Sequence, residues 1–426
     1  MVRLKPPLQF RTASASPPPR FFIGKEKAAS AGGNYERLKT CRIEGSNAKK
    51  WWYLMQKPTV RYEFANILRG VAVLCVLFEH YLGFYIGDQN VISRLIHMPT
   101  SEIDRHVPSE IVSVTHSIPY LIPASFGVAL FFIISGFVIP LSLTNSTRKE
   151  FLISRVLRIY PTYIVGFAVT MVALLISTSF AGVELTIPAS DIILHAIPGL
   201  REIVGVPFID GIIWTLEIEL KFYAIGFVFI SAFKNNSLSW IAIPVALMVA
   251  AFLANELISL SPINQSINSF PFLIYMFIGV CFNAMATKRL SYLNGSILIA
   301  AIFAMFISAF KVSPSYELII ITVSYFYAVL FFAFFFCIRK YIRPVGPLSF
   351  LASISYPLYV MHGIAGYVML RILGEYGLTP LQALPITVAT MLAIAWCIHI
   401  LVEEPTRKWG KTRRVIPISA MPLSSD

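Results

Sequence analysis

The stretch RGVAVLCVLFEH runs from Arg69 to His80, a fixed cation followed eleven residues later by an imidazole, with mostly aliphatic residues between. Eleven helical residues rise about 16 Å, so an arginine at a membrane edge puts His80 near mid-membrane. An imidazole titrates near neutrality and suits proton transfer. A histidine packed between helices for structure alone fits the same spacing. Glu79 sits about 100° around the helix from His80 and need not share its pocket. A second histidine has comparable surroundings. In SISYPLYVMHG, Ser355, Tyr359 and His362 fall at i, i+4 and i+7 and share one helical face. Two histidines at similar depth either line one cavity or anchor separate hydrogen bonds.

Charges within apolar runs are the next informative residues, because an ionisable group at the bilayer centre costs about 2.5–3.5 kcal/mol unless it is partnered or wet. In WTLEIELKFY, Glu217 and Lys221 are four apart and can pair within the helix, which accounts for both. Glu219 points elsewhere, with Thr215, Phe222 and Tyr223, and has no evident partner on its own helix. It requires a donor or cation from another helix, or water, and is the favoured functional carboxylate. Arg155 and Arg158 form an i, i+3 fork, read either as positive-inside decoration or as a bidentate holder of phosphate beside Arg69. Ser135 and Gly136 in FFIISGF are small enough for close helix approach, a reading preferred over nucleophilic catalysis. The five cysteines show no metal-ligand spacing and are expected to pack rather than to form disulfides.

The elements that position these groups are membrane helices. Of 426 residues, 56% are hydrophobic and 13% charged, and mean hydropathy is +0.70. Soluble domains carry about twice that charge. Apolar runs predict an all-α polytopic integral membrane protein with about ten transmembrane helices, near 66–86, 124–144, 159–180, 212–233, 239–257, 269–286, 291–310, 316–338, 350–373 and 385–402. Assigning the tail, alternate loops and C-terminus to one face gathers 29 of 35 Lys and Arg there, so both termini are expected in the cytosol. The net charge of +13 is then mainly topology, and no nucleic-acid partner is expected.

Residues 1–61 are polar, basic and rich in Pro, Ser and Ala, and read as a disordered basic cytosolic tail. A transit peptide and a native start at Met55 are alternatives. The membrane domain is placed at 62–410, with a short cytosolic tail at 411–426. Two longer outer loops, about 87–123 and 181–211, either cover an outward cleft or are ordinary solvated loops.

Taken in order, these pieces resemble the acyltransferase 3 family of integral membrane acyltransferases, over about 62–410. The matching elements are Arg69 with His80 ten intervening residues on, FFIISGF, FLISRVLRIYPTY with Arg155 and Arg158, WTLEIELKFY with Glu219, SYPLYVMH ending at His362, and EEPTRK with Glu404 and Pro405. The resemblance implies a ten-helix core in the cytoplasmic (inner) membrane. Such a core takes an acyl group, often acetyl, from cytosolic acyl-CoA to a hydroxyl of a cell-surface, secreted or lipid-linked carbohydrate.

The catalytic residues it implies are His80, Glu219 and His362, and the donor-binding residues are Arg69, Arg155 and Arg158. His80 would act as general base or carry the acyl group briefly. Glu219 or His362 would orient or charge-balance it, or His362 would polarise the thioester carbonyl. Acetyl-CoA or another acyl-CoA is a co-substrate, and no resident cofactor or metal is expected. Expected partners are the glycan acceptor, membrane lipids and, if the core does not finish the transfer itself, a separate extracytoplasmic acyl acceptor protein. A transporter or flippase of a glycolipid or small carbohydrate also explains mid-membrane charges, but not paired arginines beside Arg69. A scaffold role needs none of these groups.

Overall fold

The computed structural model describes residues 62–100, 118–234, 238–257, 269–311 and 317–412. The expected basic tail, the alternative start at Met55, and residues 101–117 and 413–426 lie outside the described residues. All described elements are helical. Each of the ten expected apolar segments falls on a helix. These are α1 (Glu63–Gly87), α3 (Pro123–Thr144), α4 (Arg148–Ala181), α7 (Ile213–Val228), α8 (Ala242–Leu257), α9 (Phe270–Ala286), α10 (Tyr292–Lys311), α11 (Glu317–Ile338), α12 (Gly346–Glu375) and α13 (Pro380–Ile398). Seven helices are long and apolar enough to cross a membrane, while the segments carrying α7, α8 and α9 fold as shorter apolar helices. The chain is a polytopic all-α membrane protein. Short helices α2 (Gln89–Ile96), α5 (Ala189–His195) and α6 (Leu200–Val204) lie in the connections, and α14 (Glu404–Thr412) follows α13.

The centre is built by α1, α3 and α12. Helix α3 packs against α1, α9 and α11, and α12 packs against α1, α4 and α13. The α3–α9 contact depends on absent side chains. A Cβ at Gly136 would run into the Met276 carbonyl, and one at Gly279 into the Ile133 carbonyl. Small residues let membrane helices approach this closely and gain dispersion contacts, the role expected for Gly136. Ser135 has a different role, described below.

Helix α4 begins with a capping box. The Glu150 amide donates to Thr147 Oγ1 at 3.2 Å, and Glu150 Oε2 accepts the Thr147 amide at 2.8 Å. Its 34 residues rise about 51 Å, well beyond a hydrocarbon core of about 30 Å. The excess lets Arg155 and Arg158, in its second and third turns, lie towards one membrane edge. Two π-helical segments interrupt the bundle, Glu79–Phe84 in α1 and His399–Glu403 after α13. Such insertions shift side chains around the helix axis and recur at functional sites. The first begins at Glu79 and includes His80.

Candidate active site

The arginine end of the bundle holds a small polar cavity of about 80 Å³. Arg69 from α1, Arg158 from α4, Ser135 from α3, Glu219 from α7 and Tyr356 and Tyr359 from α12 all line it. Glu219 accepts a hydrogen bond from Ser135 Oγ at 3.1 Å and a second from the Tyr223 hydroxyl. The predicted need for a donor from another helix is met by Ser135. The expectation of no partner on its own helix is not, because Tyr223 follows by one helical turn. Arg69 and Arg158 both lie within electrostatic reach of Glu219 and of Glu403. Tyr356 donates to the Ile159 carbonyl at 2.9 Å, which ties α12 to α4 beside Arg158.

Arg155 does not line this cavity. Its Nη2 donates to Ser142 Oγ at 2.7 Å, and its guanidinium carbon lies 5.2 Å from the centroid of Phe151 and 5.3 Å from that of Tyr223. The two arginines expected to act as one fork are therefore in different surroundings, Arg158 facing the cavity and Arg155 holding α3 and α7.

His80 lies in a separate chamber of about 370 Å³, walled by Ser125, Trp214, Phe272, Tyr325 and Tyr359 among others. Its Nδ1 is hydrogen-bonded to the Tyr367 hydroxyl, which leaves Nε2 as the nitrogen available to the chamber. The His362 ring stands edge-on to it, with centroids 4.8 Å apart and planes at 79°. His362 is 1% exposed and lines neither cavity. Its Nδ1 is 2.8 Å from the Tyr359 carbonyl. A carbonyl only accepts, so Nδ1 carries the proton and Nε2 presents a lone pair, buried with no hydrogen-bond partner. Tyr81 fixes the same turn by donating to the His362 carbonyl at 2.8 Å.

The two cavities share Val128 and Tyr359 as walls. The Tyr359 hydroxyl is 2.6 Å from Thr215 Oγ1 and 3.4 Å from the Ile212 carbonyl, which pins this partition to the start of α7. The predicted face of Ser355, Tyr359 and His362 thus runs from one cavity, across the partition, to the histidine pair. Glu219 stands with the arginines rather than beside His80.

The expected Glu217–Lys221 pair does not form. Arg201 from α6 grips Glu217 through Nε at 3.0 Å and Nη2 at 2.6 Å, and Lys221 Nζ pairs with Glu202 at 2.5 Å. The outer connection supplies opposite charges with better geometry than one exposed helical turn, and buries Arg201 to 1% exposure. His195 in the same connection is buried against Tyr163 and Phe167. Burial, then the Arg201 charge, depress its imidazole to about 4.

Several residues escaped the sequence reading. Tyr367 lies beyond the SYPLYVMH motif, and only contact with His80 marks it. Glu403 is 5% exposed and 2.6 Å from His399 Nδ1, whereas its motif neighbour Glu404 pairs outward with Lys408 at 2.9 Å. The doubled acid was visible, but not which of the two points inward. Asp210, before α7, is buried, and burial lifts its carboxyl to about 7 against the Ile212 amide bond that lowers it.

No curated protein and no solved structure matches the chain. The family profile described as an acyltransferase domain, of the acyltransferase 3 type, matches residues 62–400, nearly the whole described bundle. The chain belongs to the acyltransferase 3 family.

Proposed function

We propose that this membrane acyltransferase moves an acyl group, acetyl being the first to test, from cytosolic acyl-CoA to a carbohydrate hydroxyl presented at the opposite side. The observation that carries this reading is the pair of adjoining cavities, one with two guanidinium groups and one with His80, separated only by Val128 and Tyr359. Arg69 and Arg158 at the cytosolic mouth hold the donor's phosphates, with Glu219 and Glu403 restraining the guanidinium groups. The donor's arm passes the Tyr359 partition and brings the thioester carbonyl to His80.

His80 Nε2 takes the proton of the acceptor hydroxyl as its oxygen attacks the thioester carbon. The C–S bond then breaks, and the departing thiolate recovers that proton from His80, so the enzyme ends unchanged. His362, with its Nδ1 proton committed to a carbonyl, offers a lone pair towards the imidazolium formed in between. It acts through His80, since it touches neither cavity. Arg155 supports the site by bracing α4 and needs no direct contact with the donor.

The test is His80→Ala at matched expression, with ester-linked acyl groups on the cell's surface glycans measured by mass spectrometry. A general base contributes about 10²–10⁴-fold, so acylation should drop to background. Unchanged acylation would remove His80 from the mechanism.

A further inference from the structure

Asp210 lies just before α7, and the next two residues, Gly211 and Ile212, line the His80 chamber. Its carboxylate is 5% exposed. Oδ1 accepts the Ile212 amide at 3.2 Å, while Oδ2 is buried without a hydrogen-bond partner. The group rests on Gly363, the residue after His362, where a Cβ would stand 3.2 Å from Oδ1. A turn-capping aspartate uses one oxygen and ordinarily leaves the other in water. Burying the whole carboxylate costs free energy that capping does not explain.

The groups that face Asp210 are phenols: Tyr163 from α4, and Tyr359 and Tyr367 from α12. Arg201, the cation of the outer connection, is engaged by Glu217 and the Val206 carbonyl. Among the described residues, no cation figures among the groups acting on Asp210, and burial brings its titration to about 7. Tyr367 is the link to the base, since its hydroxyl bonds His80 Nδ1. Glu79 and Tyr81 from α1 also lie within electrostatic reach of Tyr367, though Asp210 acts on it more strongly. His362 is the titratable neighbour of His80 itself.

A phenol either donates or accepts in such a bond. A negative Asp210 turns the O–H of Tyr367 towards itself and the oxygen lone pair towards His80, so the proton stays on Nδ1 and Nε2 is bare. With Asp210 neutral, the phenol is free to donate to Nδ1, and Nε2 then holds the hydrogen. Only the first tautomer leaves a base in the chamber. We propose that Asp210 is a positioning residue whose charge, acting through Tyr367, holds His80 in the tautomer with a bare Nε2 facing the chamber. This rests on reading His80 as the base.

The test needs neither donor nor acceptor. The full-length protein in detergent is treated with diethyl pyrocarbonate, which adds to a bare imidazole nitrogen, and adducts at His80 are followed by peptide mass spectrometry across about pH 5.5 to 8.5. The wild-type rate should climb through pH about 7 to a plateau roughly tenfold above that of Asp210→Asn. In a Tyr367→Phe background the Asn substitution should change nothing, because the link is gone. His399 serves as the folding control in each variant.

An Asp210→Asn plateau equal to wild type overturns the proposal, as does an undiminished fall in the Phe background. If Asp210→Asn alters His399 as well, the wild-type profile decides, and a rate flat through neutrality overturns it. A negative result here leaves the acyl-transfer reading standing, whereas the His80→Ala glycan assay tests that reading by itself.

Discussion

Arg155 and Arg158 differ by less than one helical turn yet face different chemistry. Arg158 shares the cavity with Arg69 and Glu219, whereas Arg155 is engaged by Ser142 and two aromatic rings. The expected outcomes of substitution therefore separate. Arg158→Ala removes a charge-assisted hydrogen-bond donor for phosphate, about 1.5–3 kcal/mol or roughly 10- to 150-fold in the KM for acyl-CoA. Arg155→Ala should leave that KM within about threefold but lower thermal stability, because packing and the Ser142 bond are lost. Steady-state kinetics beside a melting curve distinguishes the two. A KM rise in Arg155→Ala matching that in Arg158→Ala would show that both bind the donor.

At the scale of elements, the α3–α9 contact and the outer connection each carry a prediction. Gly136→Ala forces a methyl against the Met276 carbonyl, an overpacking that costs about 1–3 kcal/mol, so its melting temperature in detergent should fall. The outer connection is held by Arg201–Glu217 and by buried His195. The His195 imidazole is depressed from 6.5 to about 4. Between those values the unfolded state binds more protons, so stability is full above 6.5 and declines as pH falls towards 4. The wild-type melting temperature should drop over that window, and His195→Gln should flatten the drop. A wild-type curve level across it would show that His195 stays neutral in both states.

At the scale of the whole molecule, the bundle needs two faces, because the donor's phosphates and the acceptor arrive at different cavities. The excess of Lys and Arg on one set of loops assigns Arg69, Arg158 and both termini to the cytosol as the proposed arrangement. Cysteine tags placed at each terminus should both react with an impermeant thiol reagent in inside-out vesicles and in neither case from outside. Reaction of the two tags from opposite faces would rule out an even number of crossings.

Helix positions, the close approach at Gly136 and the importance of Arg69, His80 and Glu219 were legible in the sequence. Apolar run length, small-residue placement and the cost of charge in a bilayer are local properties, and each leaves its mark within about twenty residues. Pairing was not legible. Arg201 reached Glu217 in place of Lys221, Glu219 settled with the arginines instead of His80, Glu403 rather than Glu404 turned inward, and Tyr367 became the partner of His80. Those outcomes depend on how helices rotate and cross, which many weak packing contacts fix together and no short stretch of chain encodes. The sequence by itself determined a helical membrane protein with a buried base below a basic edge. Only the tertiary structure decided which charges meet, that the base and the arginines occupy adjoining cavities, and that Tyr359 stands between them.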